Sequence, residues 1–229
     1  MTLFFRCMLA LAVLVPASLL ASALPAAAAS TIVLQYTGSP ASNTTATDMS
    51  GFGNDGTLHN VTATGSRYSF GSNAYISVPA SDSINPDTSD YSYAVTMELP
   101  AGYAFTHDLS LVRRGAAKIG GAYYKMELVY NSTTGAVHLV CAMRDQNGNH
   151  GYVSVGASTI GDGTWHTLMC TKTANSVTLT KDGVAHAKAA SLGNLSSTQV
   201  LNIGAEQVNA TTFWEHFPGQ MENITITKG

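Results

Sequence analysis

The sequence predicts an all-β fold, an antiparallel sandwich of two sheets, and three observations lead to that prediction. After residue 30, short runs of β-branched and aromatic residues alternate with turns rich in Gly, Asn and Asp, which is typical of strands joined by hairpins. The same part of the chain has almost no helical periodicity. The number of such runs fits one large sandwich, and no linker or repeat marks a second domain.

The chain is poor in charge for a soluble domain. Only 11% of its 229 residues are Asp, Glu, Lys or Arg, whereas about 25% is average. The formal net charge is −3, so no basic excess is available for a phosphate backbone, and nucleic acid is excluded as a partner. A hydrophobic content of 45% also excludes a disordered chain. Ser, Thr and Asn are therefore expected on the solvent-facing sides of the strands.

The first 29 residues have the composition of a secretory signal peptide. Arg6 precedes an apolar run over residues 7–24, which closes with Pro25 and four alanines. An uncleaved membrane anchor is the alternative, because the run approaches the length of a bilayer span. The prolines and alanines favour cleavage. We therefore expect a signal peptide at 1–29 and a secreted, extracellular domain at 30–229 that has no membrane attachment after cleavage.

Each predicted strand is a run that combines β propensity with alternation. In the N-terminal half the TIVLQY, YSYAVTMEL and YYKMELVY runs are the clearest. In the C-terminal half Val177 and Leu179 alternate with Ser and Thr, and Trp165 is expected to anchor its strand in the core. Sequences such as Asp182-Gly183 supply the turns. The predicted strands are residues 31–36, 67–70, 74–78, 91–99, 109–114, 123–130, 136–144, 151–156, 165–173, 176–181, 199–203 and 221–227.

Two cysteines, Cys141 and Cys170, lie in runs that are predicted to be strands. Each shares a face with apolar neighbours, so both thiols are expected to point into the core. In a secreted chain an even pair of cysteines is typical of a disulfide. The sequence therefore predicts a bridge between Cys141 and Cys170, with two buried free thiols as the alternative.

Segments in three parts of the chain, taken in order, resemble one known family. Residues 48–58 (DMSGFGNDGTL) are similar to its glycine-rich opening loop, and residues 162–166 (DGTWH) are similar to the start of a strand that leads to a hairpin. Residues 201–204 (LNIG) and 217–221 (FPGQM) are similar to its closing strands. Together they resemble the laminin-G-like jelly roll of the concanavalin A-like lectin/glucanase superfamily, as found in secreted bacterial proteins.

The resemblance implies a concanavalin A-like jelly roll and a structural calcium ion, because related domains often hold one. Calcium binds carboxylate and carbonyl oxygens. Asp48 and Asp55 are the most oxygen-rich positions of the matching loop, and Asp87 and Asp90 are the alternative ligands. The resemblance thus predicts Ca²⁺ as a cofactor of the domain.

The superfamily also contains glucanases and polysaccharide lyases, so catalysis is an alternative. A retaining glycosidase needs two carboxylates about 5–5.5 Å apart, and laminarinase-like members carry them two residues apart on one strand. A carboxylate pair from different strands stays open, as does a lyase site that includes Tyr123 and Arg113. The chain has five glutamates, none with an acidic residue two positions away: Glu98, Glu127, Glu206, Glu215 and Glu222.

A glycan-binding surface needs an exposed aromatic ring for the apolar face of a sugar and short polar groups for its hydroxyls. The FWEHF run at 213–217 supplies both, and a packed Trp214 is the alternative. The polar loop at 145–150 is a second candidate rim, whose alternative is an ordinary hairpin. The candidate ligand-binding residues are Trp214, His216, Arg113, Tyr123, Asp145 and Asn147.

These observations predict a secreted, non-catalytic binding module whose partner is a glycan or polysaccharide. Two alternatives stay open. One is a polysaccharide-cleaving enzyme of the same superfamily, and the other is a structural or protein-interaction domain with a cell-surface protein as its partner.

Overall fold

The computed structural model of the protein describes residues 29–38, 43–115, 121–209 and 211–229. The signal peptide predicted for residues 1–29 lies outside these ranges, apart from Ala29. Within them the chain forms sixteen strands and no helix. The strands are β1 (Thr31–Tyr36), β2 (Thr45–Ala46), β3 (Gly56–Thr64), β4 (Arg67–Val78), β5 (Tyr91–Glu98), β6 (Leu109–Arg114), β7 (Tyr123–Tyr130), β8 (Val137–Arg144), β9 (His150–Gly156), β10 (His166–Lys172), β11 (Ser176–Lys181), β12 (Val184–Ala189), β13 (Leu201–Ile203), β14 (Glu206–Gln207), β15 (Phe213–Trp214) and β16 (Gln220–Lys228).

One long antiparallel sheet folds over on itself to make both layers. Its strands follow the order β12-β11-β10-β5-β16-β4-β13-β6-β7-β8-β9, with β1 on β16, β3 on β4 and β2 on β3. The β14 and β15 strands form a separate two-stranded sheet. Because β4 pairs with β16 at Tyr68 and Ser69 and with β13 at 76–78, the sheet passes from one layer to the other along this strand. The all-β jelly-roll prediction is confirmed.

The bend in β4 has a local cause. His59 of β3 pairs with Tyr75 and Val61 pairs with Phe70, so residues 71–74 loop out of the ladder. Extra residues on one strand bend it and increase its twist. Asn73 within the loop has a φ of 53°, a left-handed conformation in which Asn is enriched. The bend makes a corner of the sandwich, and it places Asn73 beside the end of β15.

The space between the layers is filled by alternate side chains of nearly every strand. In β5, Tyr91, Tyr93, Val95 and Met97 are all buried, and their neighbours face outward. Leu168 and Cys170 of β10 are buried in the same way, as the alternation predicted. Burial of one such side chain stabilises the fold by about 1.5–3 kcal/mol.

The outer face of the β13-β6-β7-β8 region is also buried, which differs from the alternation of the sequence. Arg113, Glu127, Val140, Ala142 and Asn202 are each at most 5% exposed, although their neighbours along the strands point into the core. Two of these five side chains are charged. Buried charges need partners of opposite charge, and the partners of Arg113 and Glu127 lie around them on this face.

The predicted strands coincide closely with the observed ones. The bounds of β1, β6, β7 and β11 are those predicted, and the segments 67–70 and 74–78 are two parts of the single strand β4. The sequence prediction missed β2, β3, β12, β14 and β15. In β12 every residue is exposed, so the strand lacks the buried positions from which alternation is recognised. The described ranges contain no helix with the length and hydropathy of a membrane span.

The structure does not contain the predicted bridge between Cys141 and Cys170 and shows the alternative, two free thiols. Both side chains are buried, as expected, but both are free thiols. Cys141 lies on β8 and Cys170 on β10, which belong to opposite layers. The two thiols nevertheless meet in the core, where a side-chain hydrogen bond joins Cys170 to Cys141. The Tyr93 hydroxyl lies 3.9 Å from the Cys141 sulfur, so the thiols pack with an aromatic ring.

Trp165 also departs from its prediction. The next residue, His166, points inward, and its Nδ1 lies 2.8 Å from a carboxylate oxygen of Asp182. Trp165 therefore faces outward, partly buried, with the Arg67 guanidinium 5.0 Å from the centre of its ring. The indole is covered by a cation–π contact at the surface.

Candidate functional site

A cleft of about 620 Å³ opens at the corner where β4 bends. One wall comes from the residues that precede β6, and the other from β15 and the residues that follow it. Trp214 is 51% exposed at this wall. The described residues that line the cleft are Asn73, His107, Asp108, Phe213, Trp214, Glu215 and His216.

The β15 segment is held in place by ring stacking and hydrogen bonds. The Phe213 ring stacks on Tyr75 with centroids 4.1 Å apart, and Tyr75 stacks on His59 at 4.2 Å. His216 Nδ1 lies 3.3 Å from the carbonyl oxygen of Ala74. The backbone N–H of Ser110 donates to the Glu215 carbonyl at 2.8 Å. The cleft wall is therefore positioned before any ligand arrives.

Behind this wall, three glutamates from different parts of the chain surround Arg113. Its guanidinium lies 2.6 Å from Glu206, 3.4 Å from Glu127 and 3.5 Å from Glu215, measured to the carboxylate oxygens. Lys125 pairs with Glu127. The side chains of Arg113, Glu127 and Glu206 are at most 8% exposed, whereas Glu215 is 20% exposed and reaches the cleft. We call these five side chains the Arg113 cluster.

The Arg113 cluster contains more carboxyl groups than cations, so one carboxyl keeps a proton. Burial is the largest cause, and together with the carboxyls of Glu206 and Glu127 it raises the pKa of Glu215 to about 8, against the opposing effect of Arg113. Glu206 and Glu215 are joined by a side-chain hydrogen bond. At neutral pH Glu215 is therefore a neutral acid that donates its proton to the hydrogen bond with Glu206, and its other carboxyl oxygen can accept a hydrogen bond at the cleft wall.

Two further observations favour a functional role for this region. Glu215 has a φ of 54°, a strained backbone conformation for a residue other than glycine, and such strain concentrates at functional sites. The buried Ser110 Oγ and Asn202 Oδ1 atoms have no hydrogen-bond partner within the described ranges. Both residues flank the cluster, since Ser110 pairs with Glu127 and Asn202 with Arg113 across the sheet.

A second cleft of about 480 Å³ adjoins the first. It is lined by Asn73, Tyr75, Thr211, Phe213 and His216, so Asn73, Phe213 and His216 belong to both clefts. Burial raises the pKa of the Tyr75 phenol, which is therefore neutral at physiological pH. The two clefts form one continuous surface along the bend of β4.

The structure brings three of the six predicted ligand residues together. Trp214 and His216 line the first cleft, and Arg113 lies behind it. Tyr123 is on the same outer face of the sheet but packs over Val140 and Ala142. Trp214, His216 and Arg113 therefore belong to one site. Tyr123, Asp145 and Asn147 are not among the described residues that line the cleft.

The second candidate rim, with Asp145 and Asn147, is a tightly bonded loop elsewhere in the chain. The Asp145 carboxylate is buried and accepts hydrogen bonds from the backbone N–H groups of Asn147, Asn149 and Gly193, at 2.8–2.9 Å, and from the Asn149 amide at 2.8 Å. These donors account for the position of Asp145. Asn147 is exposed beside it.

Asp48, the first predicted calcium ligand, holds its own loop together. Its Oδ1 accepts from the Gln35 and Ser50 N–H groups at 2.9 and 3.0 Å, and its Oδ2 accepts from Ser50 Oγ and the Asn54 N–H at 2.8 and 2.9 Å. Asp55 accepts from the Asp48 N–H at 2.8 Å. Because donors already occupy the Asp48 oxygens, this pair does not fit a calcium ion. In the described ranges no group of three or more His, Cys, Asp or Glu side chains has a metal-binding arrangement.

The sequence prediction missed the carboxylates of the site. Glu127, Glu206 and Glu215 are far apart in the chain or separated by a turn, and no spacing rule connects them. One signal was present, since Glu215 lies between the two chosen residues Trp214 and His216. Asn73 and His107 carried no such signal.

A family model described as the concanavalin A-like lectin/glucanases superfamily matches residues 70–229. No curated protein sequence matches the chain. Several solved structures share the fold at low sequence identity. One is the binding domain of Paraclostridial Mosquitocidal Protein 1, with 15% identity and a TM-score of 0.64, in which the match covers 86% of this chain and 48% of that one. The chain thus spans about half the length of that toxin domain.

Two further similar structures contain bound partners. Domain 4 of AbnA, an extracellular arabinanase from Geobacillus stearothermophilus, was solved with arabinotriose; it is 14% identical, with a TM-score of 0.58 and coverage of 87% of this chain and 93% of that domain. The binding domain of botulinum neurotoxin DC was solved with rat synaptotagmin II; it is 11% identical, with a TM-score of 0.59 and coverage of 86% and 48%. At these identities the likeness concerns the fold alone.

Proposed function

The chain belongs to the concanavalin A-like lectin/glucanases superfamily, and from that premise we propose that it is a secreted, non-catalytic module that binds a glycan. Membership does not define the function, because one fold serves many. The proposal therefore rests on the residues of the first cleft and not on the fold. The observation that carries it is the first cleft, where the half-exposed indole of Trp214 stands beside the protonated carboxyl of Glu215.

Each part of this cleft matches a part of a sugar. The apolar C–H face of a pyranose or furanose ring packs against an exposed indole. Sugar hydroxyls both donate and accept hydrogen bonds, and the Glu215 carboxyl oxygen that is not bonded to Glu206 can accept one from them. Asn73 and His107 add further polar groups at the cleft wall. The bound arabinotriose in the similar arabinanase domain, which this chain matches over 93% of that domain's length, supports the same class of ligand.

A glycan array on the protein from residue 30 onward, with and without added calcium, tests the proposal. We expect binding to a restricted set of glycans, and we expect Trp214→Ala to weaken the strongest interaction at least about tenfold, or about 1.4 kcal/mol. Phe52→Ala is the matched control, because Phe52 is similarly exposed at 49% but lies in the Asp48 loop. The array arms with and without calcium also test the calcium prediction.

The opposite outcomes are equally clear. Uniform absence of binding across the array, or equal effects of the two substitutions, would contradict the proposal. Binding to a cell-surface protein in place of a glycan is the alternative outcome, and the similar toxin domain solved with synaptotagmin II gives it support.

A second candidate, hydrolysis of the bound glycan, is favoured by one specific observation. Glu215 is a protonated acid in contact with the carboxyl of Glu206, and an acid paired with a carboxylate is the catalytic equipment of glycosidases. Against it, hydrogen-bonded carboxyls lie closer together than the about 5–5.5 Å of a retaining glycosidase, and Glu206 is buried behind the wall and does not line the cleft. Release of new reducing ends from an array-positive polysaccharide, abolished by Glu215→Gln, would establish hydrolysis; unchanged polysaccharide would exclude it.

A further inference from the structure

The second cleft has no role in the binding of a single sugar at Trp214. It shares Asn73, Phe213 and His216 with the first cleft and extends it toward Tyr75 and Thr211. On the basis of the proposed function, we infer that the two clefts are adjacent subsites and that the ligand is an uncharged, linear oligosaccharide chain that spans both of them.

The continuity of the surface supports a chain rather than a terminal sugar. A single sugar in the first cleft would leave the second, of about 480 Å³, without a function. A linear chain that enters along Trp214 passes Phe213 and reaches the Tyr75 hydroxyl and Thr211. Both residues carry hydroxyl groups suited to a sugar. The next sugar unit of the same chain therefore meets polar partners of its own.

The rigidity of the shared boundary also supports two subsites. Phe213 is fixed by its stack on Tyr75, which in turn stacks on His59. His216 is fixed by its hydrogen bond to the carbonyl of Ala74. A boundary held in this way loses little side-chain entropy when a ligand contacts it from both sides.

The charges around the clefts favour an uncharged ligand. Among the described residues that line them, none is Lys or Arg. Arg113, behind the first cleft, is already bonded to three carboxyl groups. Burial lowers the pKa of His59, so this ring adds no positive charge beside Tyr75 at neutral pH. A uronate, sulfate or sialic acid would find neither Lys nor Arg among these lining residues, and it would meet the carboxyl groups of Asp108 and Glu215.

Titration calorimetry with oligosaccharides of graded length tests the inference. The probes are mono- to tetrasaccharides of arabinan, xylan, mannan and β-glucan, together with oligogalacturonides and sialyllactose as charged counterparts. We expect a neutral series to bind, with affinity that rises about tenfold or more between the disaccharide and the tetrasaccharide. The charged probes should bind more weakly than the neutral ones.

Thr211→Arg places a long side chain in the second cleft only, at an exposed position that the first cleft does not use. We expect it to reduce tetrasaccharide affinity to the level of the disaccharide and to leave disaccharide affinity unchanged. Thr211→Ser, which keeps the hydroxyl, is the matched control. Thermal unfolding of each variant verifies that it is folded.

The outcomes separate the inference from the proposed function. If Trp214→Ala abolishes binding but Thr211→Arg leaves the chain-length gain intact, the second subsite is wrong and glycan binding stands. Tighter binding of the charged probes would overturn the uncharged ligand. If no saccharide binds the unaltered protein, the proposed function fails and the subsites fail with it.

Discussion

The Asp48 loop and the Arg113 cluster both bury carboxylates, and they do so in opposite ways. In the Asp48 loop one carboxylate accepts four hydrogen bonds from neutral donors, three of them backbone N–H groups. In the Arg113 cluster three carboxyls share two cations, and Glu215 retains a proton. The first arrangement is saturated, whereas the second leaves a titratable group at a cleft.

A structural carboxylate and a functional one differ in their hydrogen-bond donors. Both Asp48 and Glu127 are buried, so burial does not separate them. Asp48 and Glu127 differ in their partners, because the Asp48 oxygens accept hydrogen bonds from backbone N–H groups, whereas Glu127 pairs with charged side chains. A carboxylate whose oxygens already accept hydrogen bonds from its own loop has no free acceptor for a ligand. A cluster with more carboxyl groups than cations contains a group that can take up or release a proton.

The largest effect is expected from removal of the cation in the cluster. Arg113→Met leaves the carboxyls of Glu206 and Glu127 buried with less compensation, which should cost about 3–5 kcal/mol. Urea unfolding at pH 7 measures the free energy of unfolding. Arg67→Met is the control, because the Arg67–Glu222 pair is half exposed at the Arg67 side and 3.8 Å long, and such pairs contribute at most about 1 kcal/mol. Equal losses would show that the cluster is not an electrostatic unit.

A smaller loss is expected in the Asp48 loop. Asp48→Ala leaves the N–H groups of Gln35, Ser50 and Asn54 without their acceptor, at a cost of about 2–3 kcal/mol. Urea unfolding again provides the measurement, and the exposed Asp82→Ala serves as the control. Because the loop is distant from the cleft lining, glycan affinity should stay unchanged. A loss of affinity at full stability would give this loop a role in binding.

The subtlest effect concerns pH. The pKa of Glu215 is raised from 4.5 to about 8 in the folded protein. Its contribution to stability is therefore fully present below pH 4.5 and declines as the pH rises through about 8, because the folded state holds the proton more tightly than the unfolded state. Glu215→Gln keeps an uncharged side chain and should remove this decline.

Melting temperatures between pH 5 and pH 9 measure the difference between the two proteins. We expect the Glu215→Gln protein to gain relative stability steadily toward pH 9, while Glu98→Gln retains the profile of the unaltered protein. A profile for Glu215→Gln that runs parallel to the unaltered protein would mean that Glu215 holds no extra proton.

More of the fold than of the candidate site could be predicted from the sequence. Alternation in β11 and β10 identified the inward side chains, because one face of each strand is wet. It failed at Trp165, where size suggested the core but the neighbouring His166 takes the inward position. It also failed in β3, whose GTLHNVTAT sequence has few apolar residues from which to recognise a strand.

The site was predicted only where its residues are neighbours in the chain. Trp214 and His216 were found because they lie in one aromatic run. Glu127 and Glu206 were not, because their approach to Arg113 depends on strand register and on the position of the β14–β15 ribbon. Such proximity is a property of the folded chain, so no linear spacing records it.

The β14–β15 ribbon carries Phe213 and Trp214 of the first cleft, yet it forms its own two-stranded sheet, apart from the fourteen-stranded one. Substitutions at Phe213 or Trp214 therefore alter the wall of the first cleft without removing a strand pair of the sandwich. In the chain the ribbon is a short hairpin between β13 and β16. A replacement hairpin that keeps Glu206 and Glu215, which hold Arg113, would present other side chains at the cleft while the strand pairs of the larger sheet stay the same.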